Sequence, residues 1–176
     1  MRIYVIGFTL LLSLLILINC TGIRQYPAYY RHSAELTLEE KRELLAEHNK
    51  WRNQVGVPDL IWSTELEEIA KDWAYKLAKN YGCRMIHSSN KLGENIFWAN
   101  YAVSAKYVVD YWADERFYYD YASNTCKQGR QCGHYTQLVW SETRQLGCGR
   151  ALCSSGEEIW VCNYNPAGNV KGKRPY

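Results

Sequence analysis

Residues 146–164 read L-G-C-G-R-A-L-C-S-S-G-E-E-I-W-V-C-N-Y, and they decide how the rest of the chain is arranged. Leu146–Cys153 and Ile159–Tyr164 are strand-like runs, and Ser154, Ser155, Gly156, Glu157 and Glu158 between them form a hairpin signal. Just upstream, His134 to Trp140 alternates and carries Tyr, Thr, Val and Trp, which predicts a further strand. Before Cys132 the character is helical. Thr37-Leu38-Glu39-Glu40 is a T-x-x-E capping box. It opens a helix through Leu44, Leu45, His48, Trp51 and Val55 that Gly56 and Pro58 end. A second helix begins near Ser63, with Leu66, Ile69, Ala70, Trp73, Ala74, Leu77, Ala78 and Tyr81 on one stripe and Gly82 as its C′ residue. A third covers Ser104 to about Phe117, with Val108, Val109 and Trp112 facing inward. Helices first and antiparallel strands later predict an α+β domain with helices packed on a sheet. There is no internal repeat and no low-complexity segment, so the architecture is one domain.

The chain has 176 residues and a net charge of +3, with no long basic run, so nothing argues for a nucleic-acid partner. Arg2 is the only charge before Arg24, and Ile3 to Ile18 is almost wholly apolar, as in a secretory signal peptide. Residues 1–22 are read as that signal, with Cys20 and Gly22 at the −3 and −1 positions of a cut after Gly22. Two alternatives stand beside it. Leu17-Ile18-Asn19-Cys20 resembles a lipobox that would acylate Cys20, although Asn fits poorly there. The uncharged run Ile3–Ile23 is also long enough to remain as an uncleaved membrane anchor. Residues 23–36 are an irregular lead-in, and residues 37–176 form the domain. The mature chain of roughly 150 residues would bury about 68–70% of its unfolded surface. Its 7 Trp and 15 Tyr supply a well-filled core.

Seven cysteines stand at 20, 83, 126, 132, 148, 153 and 162. Setting Cys20 aside with the signal leaves six, an even number in an exported chain, which implies three disulfides. Six cysteines allow 15 pairings, and spacing does not choose among them. No C-x-x-C pair supports a metal cluster instead.

Four histidines can be weighed singly. His32 falls in the lead-in and reads as solvated. His48, on the first helix beside Trp51, reads as a hydrogen-bonded core or rim residue. His87, in C-R-M-I-H-S-S, and His134, in G-H-Y-T-Q-L-V-W, each fall where a helix or strand meets a turn. Glu94 follows the first in L-G-E-N-I, and Glu115 sits three residues after Trp112. Spacing alone leaves open whether these four side chains meet.

The strings H-S-S-N-K-L-G-E-N-I, G-H-Y-T-Q-L-V-W, L-G-C-G-R-A-L-C and W-V-C-N-Y-N-P-A-G-N-V-K-G-K-R-P-Y resemble the signature motifs of the CAP superfamily. That superfamily groups cysteine-rich secretory proteins, antigen 5 and pathogenesis-related class 1 proteins. The similarity spans about residues 38–176, and the K-R-P-Y ending with six cysteines is most similar to the plant type. The resemblance implies a three-layer α-β-α sandwich with a central antiparallel sheet, stapled by Cys83–Cys153, Cys126–Cys132 and Cys148–Cys162. It also implies a cleft tetrad of His87, Glu94, Glu115 and His134. Two neutral imidazoles suit a borderline ion such as Zn²⁺, with the carboxylates completing or orienting the site. Two imidazoles with open positions make a weak, solvent-facing site. The six residues between His87 and Glu94 are slightly more than in many plant relatives, which alters the rim of the cleft.

By the same resemblance, the segment with Phe117, Tyr118, Tyr119 and Tyr121 corresponds to a loop that holds lipid in sterol-binding members. An aromatic groove with Tyr hydroxyls at its mouth suits a flat sterol, whereas the plain reading is core packing. The tail Pro166–Tyr176 is similar to a releasable signalling peptide of plant relatives, and its plain reading is a segment packed along the sheet. The function expected is a secreted, non-enzymatic protein that binds sterol or another lipid and a divalent metal, in a host-defence or virulence role. One alternative is a metal-assisted or acid–base hydrolase using the tetrad, although H-E-x-x-H and G-x-S-x-G are absent. Another is an effector recognised by a cell-surface protein partner. Membrane attachment would require acylated Cys20 or an uncleaved signal.

Overall fold

The first helix, α1 (Leu38–Gln54), starts where its capping residues dictate. The Thr37 hydroxyl accepts from the Glu40 amide at 3.2 Å, and the Glu40 carboxylate accepts from the Thr37 amide at 2.7 Å. A computed structural model describes residues 35–176. The expected signal segment 1–22, the Cys20 alternatives, His32 and all but the last two residues of the lead-in lie outside the described residues. A two-residue strand, β1 (Ile61–Trp62), leads to α2 (Thr64–Asn80), capped by Ser63. Gly82 follows with φ +57°, a left-handed turn that lets the Cys83 amide reach back to the Leu77 carbonyl. Then come β2 (Gly93–Ala99) and α3 (Ala105–Ala113). The predicted third helix thus ends as an α-helix at Ala113 and tightens into a 3₁₀ turn over Asp114–Tyr118. A small hairpin, β3 (Tyr119–Asp120) with β4 (Thr125–Cys126), precedes α4 (Gly133–Leu138). The predicted hairpin closes the order as β5 (Gln145–Leu152) and β6 (Glu158–Asn165).

Residues 133–138 are the one element of the wrong kind: a short helix stands where alternation predicted a strand. Its support comes from outside the local sequence. The Glu115 carboxylate accepts from the amides of His134 (2.9 Å) and Tyr135 (3.2 Å), two donors that a helix start otherwise leaves orphaned. The Thr136 hydroxyl lies 2.6 Å from the Asn169 side-chain oxygen and 3.0 Å from the Cys132 carbonyl. Tyr135, Leu138 and Val139 then fall on one buried side at helical spacing.

The main sheet has the order β1-β5-β6-β2. It is antiparallel apart from the short β1–β5 edge pair, which is parallel. Cys148 faces Cys162 across the β5–β6 register. On one face α2 presses Ala70, Ala74 and Leu77 against Ile96, Ile159 and Val161. On the other, α1, α3 and α4 bring Leu44, Val108, Trp112 and Leu138 onto Phe97 and Trp160. These are the three layers of an α-β-α sandwich. Contact with α2 is close enough that a Cβ on Gly147 would fall 2.2 Å from the Glu67 backbone nitrogen. The three disulfides are Cys83–Cys153, Cys126–Cys132 and Cys148–Cys162, the pairing the resemblance implied. Among the described residues no helix is long and apolar enough to cross a membrane.

The tail crosses α4 and the small hairpin instead of lying along the sheet. Asn169 donates to the Gly133 carbonyl at 2.9 Å, the Ser141 amide donates to the Pro175 carbonyl at 2.6 Å, and Arg174 donates to the Ala122 carbonyl at 2.9 Å.

His48 is fully buried, with Nδ1 2.7 Å from the Leu44 carbonyl and Nε2 2.8 Å from the Tyr164 hydroxyl. Burial, reinforced by the nearby Arg52 charge, lowers its pKa from 6.5 to about 4. The unfolded chain therefore binds a proton that the folded one refuses between those values. Stability is complete above pH 6.5 and falls as the pH drops toward 4, by about 3 kcal/mol from this residue. Urea unfolding at pH 7 and pH 4.5 checks it: the difference should shrink in His48→Phe.

Candidate functional site

Two imidazole–carboxylate pairs form the core of the site. His87 lies in the connection after α2, and its Nδ1 is 2.7 Å from Glu94 Oε1 on β2. Ser88 adds two more bonds to the same carboxylate, from its amide at 2.9 Å and its hydroxyl at 2.7 Å. His134 opens α4, and its Nδ1 is 2.7 Å from Glu115 Oε1 on the 3₁₀ turn. Its ring stacks on Trp112 with centroids 6.0 Å apart. Each carboxylate thus receives three hydrogen bonds, one from an imidazole. Glu94 and Glu115 are largely buried, with 5% and 11% of their side chains exposed, whereas the His87 side chain is 65% exposed.

Electrostatics follow from that contrast. The hydrogen bond and charge of Glu94 raise the pKa of His87 above its ordinary value, against a smaller opposing effect of burial. Burial pushes Glu94 up, but the bonds from His87 and Ser88 together outweigh it and leave its pKa lowered. Glu94 is accordingly an anion at neutral pH. With Nδ1 facing a carboxylate, a neutral imidazole carries its proton there and presents the Nε2 lone pair outward.

Asn95, the residue after Glu94, links the two pairs. Its side-chain amide donates to the His134 carbonyl at 3.1 Å and to the Tyr164 hydroxyl at 3.1 Å. Through Tyr164 the link continues to buried His48. The site therefore rests on a polar strut from α1 through the sheet to α4. Among the described residues no three His, Cys, Asp or Glu side chains gather in a way that could hold a metal. Each carboxylate orients its imidazole through the Nδ1 hydrogen bond.

The aromatic quartet divides between two surfaces. Phe117 and Tyr118 line an open hollow of about 460 Å³ together with Tyr111, Glu115 and Arg130. Tyr119 and Tyr121 turn toward the tail. Tyr121 stacks on Tyr176 at 4.8 Å and donates to its carbonyl at 2.6 Å, while Tyr119 donates to Asn124 at 2.7 Å.

Sequence reasoning missed Ser88, Asn95 and Trp112 as parts of the site. Ser88 carried a usable signal, a hydroxyl directly after His87. Asn95 carried none, because its partners lie 39 and 69 residues away.

This sandwich has known counterparts. The chain belongs to the cysteine-rich secretory protein (CAP) family, whose model matches residues 45–164. Within it, the likeness is to plant pathogenesis-related proteins. The chain is 38% identical over 166 residues to pathogenesis-related protein PRMS of Zea mays, covering 93% of this chain and 94% of that one. It is 42% identical over 138 residues to pathogenesis-related protein 1C of Nicotiana tabacum, covering 77% and 80%. Among solved structures, that of NaASP2 with Zn²⁺ superposes with a TM-score of 0.65 at 28% identity, covering 80% of this chain and 86% of that one.

Proposed function

We propose that this CAP protein is secreted, acts in host defence without catalysing a reaction, and binds a divalent metal ion through the Nε2 atoms of His87 and His134. The carrying observation is that both imidazoles give Nδ1 to a largely buried carboxylate, Glu94 and Glu115. That arrangement fixes the tautomer and raises the basicity of the outward nitrogen, as second-shell carboxylates do for zinc-binding histidines. The solved NaASP2 structure with Zn²⁺ supports the choice of ion. Secretion is supported by the apolar start of the chain and by disulfides between all six cysteines of the described residues. A defence role is supported by the pathogenesis-related relatives.

Two features favour binding over the hydrolase alternative. The tetrad carboxylates each accept three hydrogen bonds, which leaves neither poised as a general base. The disulfides leave no thiol nucleophile among the described residues. Loss of peptide or ester cleavage in Glu115→Gln would overturn this reading.

A sterol or other lipid is the second ligand proposed, at the hollow that Phe117 and Tyr118 line. Its volume of about 460 Å³ falls in the range of small-molecule sites, and the Phe117 side chain is 70% exposed, with the Arg116 guanidinium 4.0 Å from its ring centroid. The contacts of Tyr119 and Tyr121 with Asn124 and the tail narrow the lipid reading to the first two rings.

Calorimetric titration of Zn²⁺ tests the metal reading. Wild type should bind about one ion, and His87→Ala and His134→Ala should each weaken binding at least about tenfold. Unchanged binding in both variants would overturn it.

A further inference from the structure

The outer face of α3 carries a row of aromatic rings that extends well beyond the hollow of the lipid reading. Tyr107 and Tyr111 lie one helical turn apart and are 44% and 55% exposed. Beneath them the buried ring of Phe97 on β2 meets both edge-on, at 6.1 Å and 5.1 Å between centroids. Before the helix, Tyr101 is 56% exposed, and its hydroxyl is 3.4 Å from that of Tyr107. After the helix, Phe117, 70% exposed, shares with Tyr111 the lining of the open hollow. The row therefore runs Tyr101, Tyr107, Tyr111, Phe117. Leaving four large rings in water along one path is costly, and contiguous exposed apolar surface marks a binding site. Phe97 braces two of these rings, so little side-chain freedom is lost when a ligand settles on them.

The chemistry of the row selects its occupant. Among the described large hydrophobic residues exposed along it, all four are aromatic, and three carry hydroxyls. Such rings offer flat apolar faces with polar rims. Charges beside the row nearly cancel: Asp110 pairs with Lys106, Asp114 pairs with Arg116, and Glu115 and Arg130 line the hollow. A polyanion such as a nucleic acid needs a surplus of cations that this face lacks. A lipid chain needs enclosure, which the outer face of α3 beyond the hollow does not provide. A linear, uncharged sugar chain meets every condition, since pyranose rings have flat C–H faces for stacking and hydroxyls at their edges for Tyr101, Tyr107 and Tyr111.

We infer that Tyr101, Tyr107, Tyr111 and Phe117 form a stacking platform for a neutral, linear polysaccharide. The chain lies along α3 and ends in the hollow beside Glu115. Two of the four rings, Tyr101 and Tyr107, lie outside the proposed lipid and metal sites, so Tyr107→Ala reads the platform separately from them.

The test uses insoluble cellulose in a pull-down and cellohexaose in calorimetry, with full-length mature protein. Wild type should be retained on cellulose and should bind cellohexaose in proportion to the rings present. Tyr107→Ala and Tyr111→Ala should each weaken binding roughly tenfold, and the double variant should abolish retention. Tyr75→Ala, an exposed tyrosine on α2, should bind as wild type does. All four variants should keep the Zn²⁺ affinity of wild type, which separates loss of the platform from misfolding. Absence of wild-type binding to either glucan would overturn the inference. So would binding that survives the double variant. Self-association of wild type that Tyr107→Ala and Tyr111→Ala abolish would also overturn it, by marking the row as a protein interface.

Discussion

Arg52→Met should lower unfolding stability by about 4 kcal/mol, enough to leave the protein marginal. Arg52 is fully buried on α1 and donates to four carbonyls: Pro58 at 2.7 Å, Leu138 at 2.9 Å, Trp140 at 2.9 Å and Thr143 at 3.0 Å. Methionine fills much of the same space but offers no donor, so buried carbonyl oxygens lose their partners. Burial chiefly, with Arg144 nearby, lowers the pKa of Arg52 to about 10, so it remains charged at neutral pH. Three of those carbonyls, at Leu138, Trp140 and Thr143, lie at the end of α4 and in the segment before β5, so the variant should also loosen the helix that carries His134. Urea unfolding at pH 7 would read the loss as a midpoint shift of about 2 M. A loss below about 1 kcal/mol would mean that the guanidinium is dispensable.

Removing the long-range disulfide should cost about as much. Cys83 and Cys153 are separated by 70 residues, so reopening that loop restores about 4 kcal/mol of chain entropy to the unfolded state. Cys126 and Cys132, separated by 6, should cost only about 2 kcal/mol on the same basis. Cys83→Ala/Cys153→Ala should therefore unfold at lower urea than Cys126→Ala/Cys132→Ala. Burial adds to the contrast, since Cys83 and Cys153 sit in the core beside α2 whereas Cys126 is exposed. The reverse ranking would show that the small loop holds more structure than its length implies.

Local patterns made much of this fold legible. The capping box at Thr37, the α2 stripe ended by Gly82, and the hairpin of β5 and β6 all depend on residues within a few positions of one another. Arg52 was illegible for the opposite reason. It continues the inward line of Leu44 and His48 at helical spacing, but a charged residue there reads as solvent-facing until its four carbonyl partners are known. The strand predicted at His134 failed similarly: β-favouring Tyr, Thr and Val are overruled by a cap from Glu115, 19 residues upstream.

The site divides along the same line. Motif resemblance named His87, Glu94, Glu115 and His134, and the structure joins them as two hydrogen-bonded pairs instead of one four-ligand cluster. The linking residue, Asn95, bonds partners brought near only by tertiary folding. The aromatic quartet looked continuous because its members lie within five positions, yet Tyr119 and Tyr121 are drawn to Asn124 and Tyr176. Nothing in the spacing of those rings announces that division.

Long-range ¹H–¹⁵N NMR of the histidine rings, recorded at neutral pH before and after adding Zn²⁺, tests the central assignment most directly. His87 and His134 should carry protons on Nδ1, and both Nε2 signals should move together as metal is added, while those of buried His48 stay in place. Nε2 signals of His87 and His134 that remain still at saturating Zn²⁺, or only one of which moves, would contradict it.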